Sequence, residues 1–325
     1  MPFGDNALTD LADPAHWLPG DAELDISRAA IKAYNAERPA RVKATADRLA
    51  FAVIASLAVG AASLAWSLAE NDGTAVFMAI TAIIFCGAFA WEWVFRPARE
   101  FEQQLRQRLF PVIFGFIADF RYDYGTKPRF LEKFRETGLL DWNKFETDDC
   151  FAGVHDGLKF EISEINLFNQ NGDGRSNQFS GLIVHIRQKS EFAGLLLAQR
   201  KTNDVYRFFR DLFGSELRTV SCGLAEIDVT HEFRTNNAGP EQARMCIEMA
   251  KALDWLRKFW DRGPVQIVFD GHDCYLLLAT GRKNFELPII QSGNIDFDRD
   301  VLPVMKEMVT LLAIAHLINK IGAPE

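Results

Sequence analysis

The chain has 325 residues, and its 36 Lys and Arg against 44 Asp and Glu leave a formal net charge of −8. That balance removes electrostatic support for a general nucleic-acid role, while 27 Phe and 12% aromatics exclude a chain too polar to bury a core. Five cysteines (Cys86, Cys150, Cys222, Cys246 and Cys274) form no C-x-x-C pair, and the odd count fits free thiols in a reducing compartment.

Residues 1–25 carry six acids and no base, with Pro2, Pro14 and Pro19 among them. They read as a mobile segment. Asp21 is placed to cap a short helix running to about Ala36, which Pro39 is expected to break. Residues 28–48 then carry six bases against two acids. The first apolar run starts near position 49 and is too long for a signal core, so no cleavable signal is expected.

The stretch from Leu49 to Phe95 organises the rest. Between Arg48 and Glu70 lie 21 residues without a charge, and between Asp72 and Glu92 another 19. At about 1.5 Å per residue, each run spans the ~30 Å hydrocarbon core of a bilayer. A helix satisfies its own backbone, so the reading is a two-helix transmembrane hairpin over residues 49–95. Interface residues expected at its ends are Arg38, Arg41, Lys43, Arg48, Trp66, Trp91, Trp93, Arg96 and Arg99. Glu92 and Arg96 share one helix face, which makes an acid at that depth tolerable. Small residues recur every three or four positions in both spans: Ala52, Ser56 and Gly60 in the first, Ala75, Ala79, Ala82 and Cys86 in the second. Such faces let helices pack closely in lipid. The turn between the spans holds Glu70 and Asp72 and no base, so both termini are expected in the cytoplasm.

After Pro97 a helical stripe (Phe101, Leu105, Leu109, Val112, Phe116, Phe120) forms a connector over residues 96–149, with Pro111 expected to kink it. The stripe and the basic collar before the first span are the pieces expected to touch the membrane. A short helix, Arg129 to Thr137, closes the connector. From Cys150 the period changes to two. Leu158, Phe160 and Ile162 alternate with polar residues, and the strand runs on through Leu167. A turn signal fills residues 169–178. Further strands are read over Phe179 to Ile186, Ala193 to Gln199 and Glu226 to Arg234, and a short helix over Val205 to Phe213. Pro240 opens a helix bearing Cys246, Ala250, Leu253 and Leu256. Val265 to Phe269 and Tyr275 to Thr280 read as a hairpin around Gly271, and an amphipathic helix, about Arg299 to Lys320, ends the chain. Residues 150–325 are thus an α+β domain: an antiparallel sheet with flanking helices.

Chemistry-bearing motifs are sparse. Asn169, Asn171 and Asp173 before Gly174 resemble half a calcium loop, but its twelfth position is Ser180, so a hairpin loop is the better reading. His155-Asp156 and His272-Asp273 sit beside glycines and read as turns. The six histidines form no metal-binding spacing, and phosphate-loop, dinucleotide and nucleophile-elbow motifs are absent. No catalytic, cofactor or metal residue is assigned.

Several pieces, in order, resemble a bacterial family of membrane proteins known as domain of unknown function 3137. They are Gly153 through Gly157, Phe160-Glu161-Ile162-Ser163-Glu164, Phe179-Ser180-Gly181-Leu182, His231-Glu232-Phe233, and Glu241 with Ala243-Arg244. Lys283-Asn284-Phe285-Glu286-Leu287-Pro288 resembles the family's late Asp-Leu-Phe-Glu-Pro element, with Asn284 where an acid is usual. The resemblance covers about residues 97 to 318 and implies a bacterial inner-membrane protein with a cytoplasmic domain; it supplies no activity.

The sequence therefore points to a multi-pass, membrane-anchored cytoplasmic module, non-enzymatic, that binds membrane lipid or a protein partner and no nucleic acid. The competing reading is a membrane-bound small-ligand sensor or enzyme with a pocket in the α+β domain. Transport comes third, because two spans enclose a pathway only in a homo-oligomer.

Overall fold

The computed structural model describes residues 17–70, 80–81, 84, 93–94, 96, 105–136, 142–172, 174–201, 217–237, 242–287 and 293–321. The chain forms two compact units: Leu24–Val112 with Leu287–Val301, and Met1–Glu23, Ile113–Glu286 and Leu302–Glu325.

One helix, α1, runs from Asp21 to Glu70. Gly20, not Asp21, occupies its cap position: the Glu23 carboxylate accepts from the Gly20 N–H at 2.9 Å, and the Glu23 N–H donates to the Gly20 carbonyl at 3.0 Å. This is half of a capping box. Pro39 does not break the helix, contrary to expectation. A proline removes one backbone bond, and side-chain bonds brace the turn before it. Asn35 donates to the Ile295 carbonyl at 2.7 Å and accepts from the Ile295 N–H at 3.0 Å, and Arg38 donates to Asn294 at 3.1 Å. Ser27 and Ile31 are buried in the same unit, and the Arg28 guanidinium lies 4.7 Å from the Phe297 ring.

Two described helices are long and apolar enough to cross a membrane: α1 over Asp21–Ser63 and the C-terminal helix over Phe297–Asn319. They differ in kind. The apolar part of α1 is almost wholly uncovered, with Phe51 64% and Ile54 67% exposed. The C-terminal helix is mostly buried in protein, as a core helix is. The expected second span falls almost entirely outside the described residues.

The other unit is an α+β body. Its sheet has seven strands among the described residues: β1 Ala118–Tyr124, β2 Lys144–His155, β3 Leu158–Asn171, β4 Gly174–Arg200, β5 Arg218–Val220, β6 His231–Thr235 and β7 Val265–Ala279. Every pairing is antiparallel. The order is β1-β2-β3-β4-β6-β5, and β7 also pairs with β4. The first half of β4 pairs with β3 and the second half with β6, while β7 runs beside both halves.

Period-two alternation supplies two apolar faces. One packs Ile165, Leu167, Phe179, Ile183, Leu195 and Leu277 against Phe130, Leu131 and Phe134 of helix α2, Phe130–Glu136. Leu182, Val184, Leu196, Ala198, Leu276 and Leu278 alternate with them and are equally buried. Helix α3 spans Ala225–Thr230, α4 Gln242–Leu256 and α5 Leu302–Asn319. Gln188 of β4 donates to the Ile318 carbonyl of α5 at 3.2 Å.

Several sequence expectations are corrected. The strands read at Phe179–Ile186 and Ala193–Gln199 are one strand, β4, carried through irregular register between Arg187 and Leu195. Gly271 makes no hairpin; with φ +62 it bends β7 where β4 bulges, so the two strands turn together. Glu226–Arg234 is half helix, α3, and half strand, β6, because the Asp228 carboxylate takes the Cys222 N–H at 2.9 Å and Thr230 donates to the Glu226 carbonyl at 3.1 Å. Of the connector stripe, Phe101 lies outside the described residues, and Val112, Phe116 and Phe120 are half-buried. Helix covers residues 105–113 through Pro111, Leu105 and Leu109 are buried, and Phe120 belongs to β1, packed 5.4 Å from Phe114. The C-terminal helix is not amphipathic: every residue from Leu311 to Ala315 is buried. The helix read at Val205–Phe213 lies outside the described residues. Strand β3, helix α2 and the opening of α4 near Pro240 stand close to where the sequence puts them, and the 169–178 signal narrows to a tight turn with Asn171 opposite Gly174.

Candidate functional site

The site grows from a fault in one strand pairing. In β2–β3, Thr147 faces Ile165 and Cys150 faces Ser163. Two residues of β2, Asp148 and Asp149, therefore share one opposite residue, Glu164. A bulge of this kind re-aims side chains, and this one gathers three carboxyl groups. Each of the two aspartates has a partner. Tyr122 Oη donates to Asp149 Oδ1 at 2.6 Å, and Lys283 Nζ lies 2.9 Å from Asp148 Oδ2.

Glu164 is held differently. It is only 7% exposed. Its Oε1 accepts from the Asn284 backbone N–H at 3.1 Å and from the Asn284 side-chain amide at 3.3 Å. Its Oε2 is buried with no hydrogen-bond partner among the described residues, and so is Thr147 Oγ1. Both residues line a cleft of about 600 Å³, together with Asp148, Ser180, Thr280 and Lys283. Burial, then the charges of Asp149 and Asp148, push the Glu164 carboxyl up to about 7, against the opposing pull of the Asn284 hydrogen bonds. A carboxyl of that character exchanges its proton near neutrality. Neutral, it donates; ionised, it accepts from a hydroxyl or pairs with an ammonium group.

The amide orientation is itself fixed. Arg262 donates to Asn284 Oδ1 at 2.8 Å, so the nitrogen end of Asn284 faces Glu164. Arg262 is gripped by Glu307 of α5 through two bonds of 2.5 and 2.8 Å. The fork geometry of guanidinium and carboxylate makes this a rigid strut.

A second polar cluster lies on the α2 side of the sheet. Asp273 accepts from Lys133 at 2.7 Å and pairs with His185 Nε2 at 2.9 Å, and Lys133 also reaches Asp270 at 3.1 Å. His185 stacks on Tyr275 at 4.9 Å. The His185 hydrogen bond and the Lys133 ammonium hold the Asp273 carboxyl far below the usual carboxylate range. Lys133, Asp273 and His185 each have a partner within the cluster, which fits a structural polar network. The sequence places Asp273 in a turn; it stands inside β7 instead.

The residues expected at a membrane interface are only partly visible. Lys43 and Arg48 are exposed on α1, and the Arg48 guanidinium lies 5.5 Å from the Trp93 ring. Trp93 is 40% exposed and packs edge-on to Phe51 at 6.1 Å. Arg96 is exposed. Arg38 instead bonds Asn294, as above. The side chains of Arg41 and Trp66, and all of Trp91 and Arg99, lie outside the described residues. Of the small-residue faces, Ala52 is buried, Gly60 half-buried and Ser56 exposed, and Ala75, Ala79, Ala82 and Cys86 lie outside the described residues.

Sequence reading missed Glu164 as a site residue. It stands on an alternating strand, and neither the bulge opposite nor the approach of Asn284 has a local signal. It also missed that His155, Asp156 and His316 converge.

No family model matches the chain, and no curated protein matches it. Among solved structures, it is similar to the mycobacterial trehalose monomycolate transport factor A, TtfA, at 10% identity and a TM-score of 0.37, over 68% of this chain and 97% of that one. At that score the likeness carries no argument about function.

Proposed function

We propose that the chain is a membrane-anchored binding module whose α+β domain takes a small polar ligand, one that presents a hydroxyl or an ammonium group, at Glu164. The observation that carries this reading is that Glu164 Oε2 and Thr147 Oγ1 are buried and unpartnered among the described residues, on two residues that line a 600 Å³ cleft. A buried polar atom without a partner costs about 1–3 kcal/mol, and a ligand supplying the missing bond recovers it. The partly polar, partly apolar lining suits a small molecule better than a flat protein partner. The cleft thus favours the small-ligand reading over partner binding. The uncovered apolar face of α1, from Leu49 through Val59, supports the anchor. The basic flanks and the base-free turn support a hairpin in a bacterial inner membrane with both termini in the cytoplasm.

Two experiments test the reading. The full-length chain is extracted in mild detergent and analysed by native mass spectrometry beside Glu164→Gln. A small-molecule adduct on the wild type that the variant lacks is the expected result. A bare chain, or the same adduct on both, overturns the ligand site. For the anchor, a C-terminal reporter active only outside the cytoplasm stays silent; an active reporter overturns the topology.

A further inference from the structure

We infer that His155, Asp156 and His316 form a binding site for a divalent transition metal of the zinc class, separate from the Glu164 cleft. The argument starts in the β2–β3 turn. His155 pairs with Leu158, so only Asp156 and Gly157 make the turn. Both have positive φ, +47 and +77, the conformation of a two-residue type I′ turn, which Asp-Gly favours. The turn thus fixes a histidine on the last strand position and a carboxylate immediately after it. The third group arrives from the far end of the chain. His316 stands in the last turn of α5, a helix otherwise apolar along that stretch.

The geometry meets the demands of a metal. His155 Nδ1 and His316 Nε2 lie 3.2 Å apart. Two nitrogens bound to one tetrahedral zinc at about 2.0–2.1 Å lie about 3.3 Å from each other. Asp156 Oδ2 is 4.0 Å from His155 Nδ1, and the three ligand atoms lie within 4.8 Å of one another. The Asp156 side chain is 76% exposed, so it is free to swing the remaining distance. Two imidazoles and one carboxylate select zinc, cobalt or nickel over calcium or magnesium, which want oxygen alone. Three protein ligands leave the fourth position to water or to an incoming group.

The surroundings hold the rings. The Trp17 ring lies 5.1 Å from the His155 ring and 4.8 Å from the His316 ring, and Phe116 meets His155 edge-on at 6.3 Å. Such an apolar wall restrains ligand orientation and water access.

The test uses the full-length chain in mild detergent, stripped with a chelator and titrated with cobalt(II) alone. One equivalent binds, with the visible absorption of four-coordinate cobalt, and zinc displaces it. His316→Gln lowers the affinity at least about 100-fold and Asp156→Asn about tenfold. Glu164→Gln leaves it unchanged, which separates this site from the proposed ligand cleft. Far-UV circular dichroism checks that the histidine variant folds. If it does not, Asp156→Asn decides alone, because that exposed side chain supports no core. No cobalt band, a band that survives His316→Gln, or an unchanged affinity in Asp156→Asn reduces the cluster to an imidazole–imidazole hydrogen bond and overturns the site.

Discussion

Asn284 closes on Glu164 across 120 residues of chain, and its backbone N–H and its side-chain amide both donate to the same carboxyl oxygen, at 3.1 and 3.3 Å. One oxygen is thereby doubly satisfied while the other, which is buried, has no partner among the described residues. The asymmetry leaves one buried acceptor without a partner on a residue that lines the cleft. It also explains why an asparagine suits position 284: an acid there would set a fourth carboxylate beside Glu164, Asp148 and Asp149.

The raised Glu164 sets a pH dependence. Unfolded, the group titrates near its ordinary value of 4.5; folded, near 7. Between those values the folded state binds more protons, so stability falls as pH rises. The contribution is whole below about 4.5 and gone above about 7. Thermal melts of wild type and Glu164→Gln from pH 4.5 to 8 measure it. The variant, which cannot ionise, gains on the wild type as pH rises, by on the order of a few kcal/mol at the alkaline end. Parallel curves would remove the buried ionisation from Glu164.

Arg262 acts on Glu164 through Asn284. Arg262→Lys keeps the charge but loses the two-bond grip of Glu307 and the bond that orients the Asn284 amide. Two effects are expected: a stability loss of about 1–3 kcal/mol, and a wider pH-dependent gap between Glu164 and its glutamine variant in the Arg262→Lys background. A merely structural strut would move the first and leave the second unchanged. A double-mutant cycle in melts at two pH values separates them.

The sequence makes the strands legible and leaves their junctions hidden. Leu158, Phe160 and Ile162 alternate because one side of β3 is buried, and that pattern survives in any fold that covers the sheet. The bend at Gly271 does not announce itself, since a glycine between two apolar runs serves a hairpin as well as a kink. Pro39 misleads for a tertiary reason: Asn35 and Arg38 are braced by residues about 260 positions away. The same holds at the candidate sites. Glu164 looks like any polar residue between Ser163 and Ile165, and its character comes from a bulge in the neighbouring strand and from Asn284. Asp156 is rightly in a turn, but His155 is the last residue of β2, and only the return of His316 makes the pair anything more.

Gly181 tests how tightly the floor of the cleft is built. It pairs with Ala279 of β7, and a Cβ at this position would stand 2.1 Å from the Leu278 carbonyl oxygen and 2.9 Å from the Ala279 Cα. Both obstacles are backbone of the adjacent strand, which cannot rotate away as a side chain can. Gly181→Ala must therefore part β4 from β7, at a cost of at least about 1–3 kcal/mol. Chemical denaturation measures it. A variant as stable as the wild type would mean that the β4–β7 pairing at the cleft is looser than the register requires.

Asp273 governs the acid limb. Its carboxyl is held down by the hydrogen bond from His185, opposed by burial and aided by Lys133. For a depressed carboxyl the unfolded state binds more protons at low pH. Its stabilisation is present above the ordinary carboxylate range and is lost as pH falls through that range toward the folded value. Asp273→Asn removes this loss and leaves Lys133 and His185 without their common acceptor. The variant is expected to be about 1–2 kcal/mol less stable near pH 7, and the deficit should shrink as pH drops below about 4. Denaturation at pH 7, 5 and 3.5 reads both. Salt decides whether the term is electrostatic: Lys133 is about one-third exposed, so moderate salt narrows the deficit only in part. A deficit constant across pH would assign Asp273 to packing and not to charge.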